Sequence, residues 1–182
     1  MRGLALALAS LLGCGTDDTG RLHADWIEVK GCRDGQDQRF EPYELDGKFF
    51  GVENREGVAF LRMQQSGRRL GAADALVIEI DDLGYAQAHL GVAQALDGVT
   101  TRATVSLYGS CPDTRQSVVA AGGTVTFHSL DLDADGHVAG DIAFEDLLDL
   151  RTGQAVGKHF TGSFDFHVIA SPPHQGFANS IH

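Results

Sequence analysis

Positive charge is scarce in this chain: 14 Lys and Arg stand against 25 Asp and Glu, for a formal net charge of −11. With no surplus of cations to displace counterions from a phosphate backbone, the composition argues against nucleic acid as a partner. Long apolar runs are missing too. The segment Leu4 to Leu12 falls well short of the roughly 20 residues that a membrane-spanning helix needs. Nor is there a recognisable nucleophile signature: no Gly-x-Ser-x-Gly elbow, no His-Glu-x-x-His pair, and no Ser-x-x-Lys ahead of a plausible helix.

What the N-terminus does have is an order of features. Arg2 precedes the short apolar run, and Gly13-Cys14-Gly15 follows it, the arrangement of a secretory signal peptide. The four residues Leu11-Leu12-Gly13-Cys14 also resemble the lipobox of bacterial lipoproteins. That resemblance implies cleavage before Cys14, lipidation of Cys14 with three acyl chains, and export to the cell envelope. Gly15, in place of the aspartate that favours inner-membrane retention, implies an outer-membrane destination. Each buried methylene contributes about 0.8 kcal/mol, so two or more chains anchor a protein stably. The expected partner is therefore the membrane, through N-terminal lipid, with an envelope protein or a glycan as the ligand of the anchored domain.

Removing residues 1–13 takes away one basic residue, Arg2, leaving 169 residues of formal net charge −12. That length suits one domain with a full hydrophobic core. With Cys14 assigned to lipid, two cysteines remain, Cys32 and Cys111, and an exported protein meets an oxidising compartment. They are expected to pair. A redox pair would show a short Cys-x-x-Cys spacing and a metal site would need more ligands nearby.

Residues 15–23 are small and polar and read as a tether, so the domain is expected over 24–170, with a Pro-containing tail over 171–182. Eight β segments follow the tether, starting at Ala24, Tyr43, Val58, Ala75, Thr101, Gly123, His137 and Lys158, each bounded by Gly, Asp, Asn or Pro. The expected class is all-β with minor α: an antiparallel β-sandwich or barrel-like fold with a C-terminal three-stranded meander. One short helix is expected over 83–96, where Leu83, Ala86, Leu90 and Ala93 recur at helical spacing.

The last third fixes registers. Val138, Gly140, Ile142 and Phe144 share parity, as do Phe160, Gly162, Phe164 and Phe166; one face of each strand must pack inward. A turn at Arg151-Thr152-Gly153 places Phe144 opposite Phe160, Asp146 opposite Lys158 and Gly140 opposite Phe164. One strand earlier, a three-residue Ala134-Asp135-Gly136 loop places Leu132 opposite Val138, and the opposed parity of Phe127 and Leu130 predicts a bulge near His128 and Ser129.

Two metal candidates emerge. Asp131, Asp133 and Asp135 with Gly136 match the start of a calcium loop, although Ile142 occupies the twelfth position and strands flank it. An acidic hairpin turn explains the same residues without an ion. The registers also line Asp133, His137 and His167 across three strands, residue types that suit a divalent metal. No other cofactor is implied. Trp26, Tyr43, Tyr85 and Tyr108 would form either a binding platform or part of the core. Three functional classes stay open: a binding or scaffolding module, a secreted hydrolase acting on glycans or esters through carboxylates or histidines gathered by folding, and an inhibitor or immunity-like protein using a rigid acidic surface.

Overall fold

A computed structural model of the protein describes residues 18–66, 72–113 and 118–168. Cys14, the signal segment and the tail over 171–182 lie outside the described residues. Those described form β1 (Thr19–Arg33), β2 (Gln36–Phe40), β3 (Tyr43–Asp46), β4 (Phe49–Arg55), β5 (Val58–Gln64), β6 (Asp74–Ile80), α1 (Leu83–Ala88), β7 (Ala93–Ala95), β8 (Thr101–Leu107), β9 (Val118–Leu130), β10 (His137–Asp149) and β11 (Ala155–His167). The fold is all-β and antiparallel, with one short helix.

The ladders run from strand to strand in chain order and then close. β11 pairs with β1, from Thr19↔Asp165 to Ile27↔Gly157, while the other edge of β1 pairs with β2 and β3. Residues 36–55 act as one bent strand that changes partner at Gly47. The Gly47 N–H donates to the carbonyl of Gly20 in β1, and the next N–H, of Lys48, donates to the carbonyl of Gln64 in β5. The corner is tight: a Cβ on Gly47 would lie 2.7 Å from Met63 Cγ and one on Gly20 would lie 2.4 Å from Met63 Sδ, so either would push the Met63 side chain aside. The result is a ring of eight staves, within the β-sandwich or barrel-like class expected, in which every stave neighbours the next in sequence. Its shortest seam is β8 to β9, with Thr104↔Val119 and Val105↔Val118; β7 continues along β9 at Thr124 to Thr126.

The C-terminal registers are as the parity requires: Phe144↔Phe160, Asp146↔Lys158 and Gly140↔Phe164. Phe144 and Phe160 stack at 4.5 Å between centroids, and the Phe164 ring covers Gly140, where a Cβ would sit 2.8 Å from Cζ. Gly153 adopts φ 69°, as the turn demands. The bulge expected near His128 and Ser129 is present. Ser129 and Phe127 oppose the adjacent residues Ala139 and Gly140, so His128 is the extra residue of a bulge, and the β10–β11 register shifts at Leu147/Leu148. Both strands contribute wholly buried side chains to a core that fills the ring, with Val138, Ile142, Phe160 and Phe166 each 2 % exposed or less.

Three expectations are corrected. The polar stretch over 19–23 is the start of β1, with Leu22 fully buried between Gly162 and Leu45, rather than part of a tether. The helix expected over 83–96 stops at Ala88; Gly91 takes φ 75°, and Ala93–Ala95 becomes β7 with Gln94 turned inward. Val138 pairs with Leu130, not Leu132, because the β9–β10 loop spans residues 131–136 rather than three residues. Asp131 Oδ1 accepts the Asp133 N–H, a local turn that takes the chain out of the ladder early.

Each end of the ring is tied differently. At one end Cys32 and Cys111 form a disulfide across 79 residues, with Cα atoms 4.5 Å apart. Beside it Asp74, 1 % exposed, accepts the N–H of Gly109 and of Ser110, the Ser110 hydroxyl and, at 3.2 Å, the Tyr43 hydroxyl. Burial, with the nearby Asp74 charge, pushes the Tyr43 phenol well above its ordinary range. The opposite end holds the start of β1, the loop over 131–136 and the connection over 81–100. That connection is pinned by Leu83 N–H to Gly57 O, Gln87 Nε2 to Leu130 O and Gly91 N–H to Phe127 O, so α1 lies across the end with Ala86 wholly buried.

Candidate functional site

Because inward positions of β1, β9, β10 and β11 are apolar or Gly, their polar residues face outward, and there the histidines find carboxylates across strands. His23 Nδ1 lies 2.6 Å from Glu44, His128 Nε2 2.7 Å from Asp141, His137 Nε2 2.7 Å from Asp165 and His159 Nδ1 2.6 Å from Asp25. Glu145 stands 3.5 Å from the other nitrogen of His159, and Asp18 is 3.6 Å from His167 Nδ1. All five pairs lie on the contiguous wall built by β3, β1, β11, β10 and β9. The Asp25 hydrogen bond and charge, with Glu145 adding to them, raise the His159 imidazole above its ordinary value against a smaller opposing effect of desolvation.

The row predicted across three strands is half present. His137 and His167 are direct partners with rings stacked at 4.9 Å. Asp133 is not beside them: it lies in the loop, and the residue whose N–H reaches the His137 carbonyl is Asp131. Asp165 and Asp18 take the carboxylate places instead. Asp165 had a signal in the sequence, since it follows from the β10–β11 register two residues from His167. Asp18 had none, because that end of β1 reads as tether.

Asp131, Asp133 and Asp135 form a stitched turn. The Asp135 N–H donates to Val168 O, the Val168 N–H to Gly136 O, and the Gly136 N–H to Asp133 O. Asp135 takes φ 66°, a left-handed conformation that aspartate tolerates. Among the described residues no group of three or more His, Cys, Asp or Glu is arranged to hold a metal ion.

The aromatic residues do not gather into a platform. Arg39 covers the Trp26 ring at 4.4 Å, Tyr43 is buried at the disulfide end, and Tyr85, 52 % exposed, stacks on His89 at the helix end. Among the described residues, Leu61, Arg62, Met63, Leu76, Ile78, Phe164 and Phe166 line a void of about 10 Å³, about enough for a single water. Eight strands is the number at which inward side chains can just fill a barrel. Chemically, the outer wall provides spaced, exposed donor and acceptor pairs rather than a convergent set.

Compared with known protein families, with curated proteins and with solved structures, the chain matches none.

Proposed function

We propose that this protein is exported, lipidated at Cys14 and held in the cell envelope, at the outer membrane rather than the inner, where the barrel binds or scaffolds a partner through its outer wall. The observation that carries the reading is the outer wall itself, where five His–carboxylate pairs stand side by side on β3, β1, β11, β10 and β9. The wall of His–carboxylate pairs offers hydrogen-bonding groups suited to an envelope protein or a glycan. The Cys32–Cys111 disulfide fits an oxidising compartment.

The same wall favours a second reading. A rigid, acidic sheet face is what an inhibitor or immunity-like protein presents to a basic target. A hydrolase would instead need carboxylates or histidines converging on one point, and the pairs here are spread over five strands.

A photo-crosslinking residue at Ala143, exposed on β10, should yield a discrete adduct in intact cells, while one at Asn54 on β4 should not. The reading fails if neither position crosslinks and the purified protein instead turns over an ester or glycan substrate in a manner abolished by Asp25→Asn or His159→Ala.

A further inference from the structure

Exposed large apolar side chains are concentrated at one end of the barrel. Among the described residues five stand out, and four of them, Tyr85, Leu90, Val92 and Val99, at 45 to 71 % exposure, lie on the single connection over 81–100. Only Leu150 is elsewhere, in the β10–β11 turn at the disulfide end. Outward-pointing apolar residues gathered on one segment cost solubility unless something covers them. The connection is also well held in place. The Asp82 carboxylate accepts the Tyr85 N–H, and Asp97 Oδ1 accepts the N–H groups of Val99 and Thr100 at 2.7 and 2.8 Å, so Val99 is presented on a fixed turn.

The covalent chain says what lies opposite. β1 begins at Thr19 on this same end, since Thr19 pairs with Asp165 next to the loop over 131–136. Four residue steps separate Cys14 from Asp18, a reach of at most about 14 Å for an extended chain. The polar headgroup layer is roughly 5 to 7 Å thick on each side of the hydrocarbon core. An anchored barrel therefore has this end, and not the disulfide end, within reach of the membrane surface.

We infer that the helix end of the barrel is a membrane-docking surface, with Tyr85, Leu90, Val92 and Val99 lying in the headgroup layer of the bilayer that holds the Cys14 acyl chains. This rests on the lipidation of Cys14 proposed above. Asp97, Asp131, Asp133 and Asp135 at the same end are exposed and repel anionic headgroups, so the matching surface is zwitterionic. Docked in this way, the barrel keeps its axis across the membrane plane and its His–carboxylate wall facing sideways, open to a partner.

The test uses the full lipidated chain, extracted from membranes and reconstituted in phosphatidylcholine vesicles. Spin labels are placed at the exposed positions Val92→Cys or, as the reference, Thr152→Cys in the turn at the disulfide end. Docking predicts that the label at 92 collides several-fold less with a water-soluble nickel complex, and more with oxygen, than the label at 152. Leu90→Ser with Val99→Ser, both at exposed positions, should bring the two labels to equal accessibility. Equal accessibility in the unsubstituted connection, with mass spectrometry showing acyl chains on Cys14, overturns the docking and leaves the anchor standing. Absence of acyl mass on Cys14 overturns both.

Discussion

Replacing Asp74 tests how the disulfide end is held. Its carboxylate accepts four hydrogen bonds, and the donors differ in what they lose. Tyr43, 3 % exposed, cannot turn its hydroxyl to water, whereas Gly109 is exposed and Ser110 half-buried, so their groups recover part of their hydration. A hydrogen bond to a charged group is worth about 1.5 to 3 kcal/mol and an orphaned buried donor costs about 1 to 3 kcal/mol, while removing a buried carboxylate gives back some desolvation. Asp74→Ala should therefore cost about 3 to 4 kcal/mol, or about 10 °C in melting midpoint for a domain of this size. Asp74→Asn keeps one acceptor oxygen for the two N–H groups and a donor for the hydroxyls, and should cost about half as much. The assay is urea unfolding followed by circular dichroism, run with Tyr43→Phe as a double-mutant cycle. A cost below about 0.5 kcal/mol for Asp74→Ala, the range of surface changes, or full additivity with Tyr43→Phe, would refute the argument.

Three further outcomes are expected. Cys32→Ser with Cys111→Ser reopens a 79-residue separation, for which chain entropy predicts a loss of about 4 to 5 kcal/mol and a midpoint lower by about 10 to 20 °C; calorimetry showing a drop of only a degree or two would contradict it. By NMR titration, His159 should have a raised pKa that returns towards its ordinary value in Asp25→Asn. Because the folded value is raised, the pair stabilises below the unfolded pKa and its contribution is lost as pH rises through the folded one; a His159 pKa unmoved by the substitution would refute this. Calcium at about 1 mM, in the range of weak extracellular sites, should leave the melting midpoint unchanged, and a clear upward shift would reinstate Asp131, Asp133 and Asp135 as an ion site.

The parts of the fold legible in the sequence are those where one face is buried and the other wet. β10 and β11 alternate over residues 140–144 and 160–166, and a shift of one residue would expose every phenylalanine, so parity fixes register. The bulge at His128 follows from the same rule, because Phe127 and Leu130 cannot both face inward without an extra residue. β2 left no such trace. Gln36 to Phe40 has no buried residue, and its place is set by backbone pairing with β1 and by contacts such as Arg39 over Trp26 and Asp37 with Lys30. The sequence suggests a longer helix than forms, because Leu90 and Ala93 continue a helical spacing that the left-handed Gly91 interrupts. At the surface, pairs within one legible ladder, such as His137 with Asp165, are recoverable from register. Contacts such as His159 with Asp25, or Tyr43 with Asp74, join segments whose adjacency arises only when the ring closes.

Lipid attachment at Cys14 is the proposal on which export and membrane docking both rest. Intact-mass spectrometry of the protein extracted with detergent from membranes, without reduction, tests it most directly. The expected mass is that of a chain beginning at Cys14, carrying three acyl chains and lacking the two hydrogens of a Cys32–Cys111 bridge. A chain that begins at Met1, with unmodified Cys14 and free thiols, would contradict it.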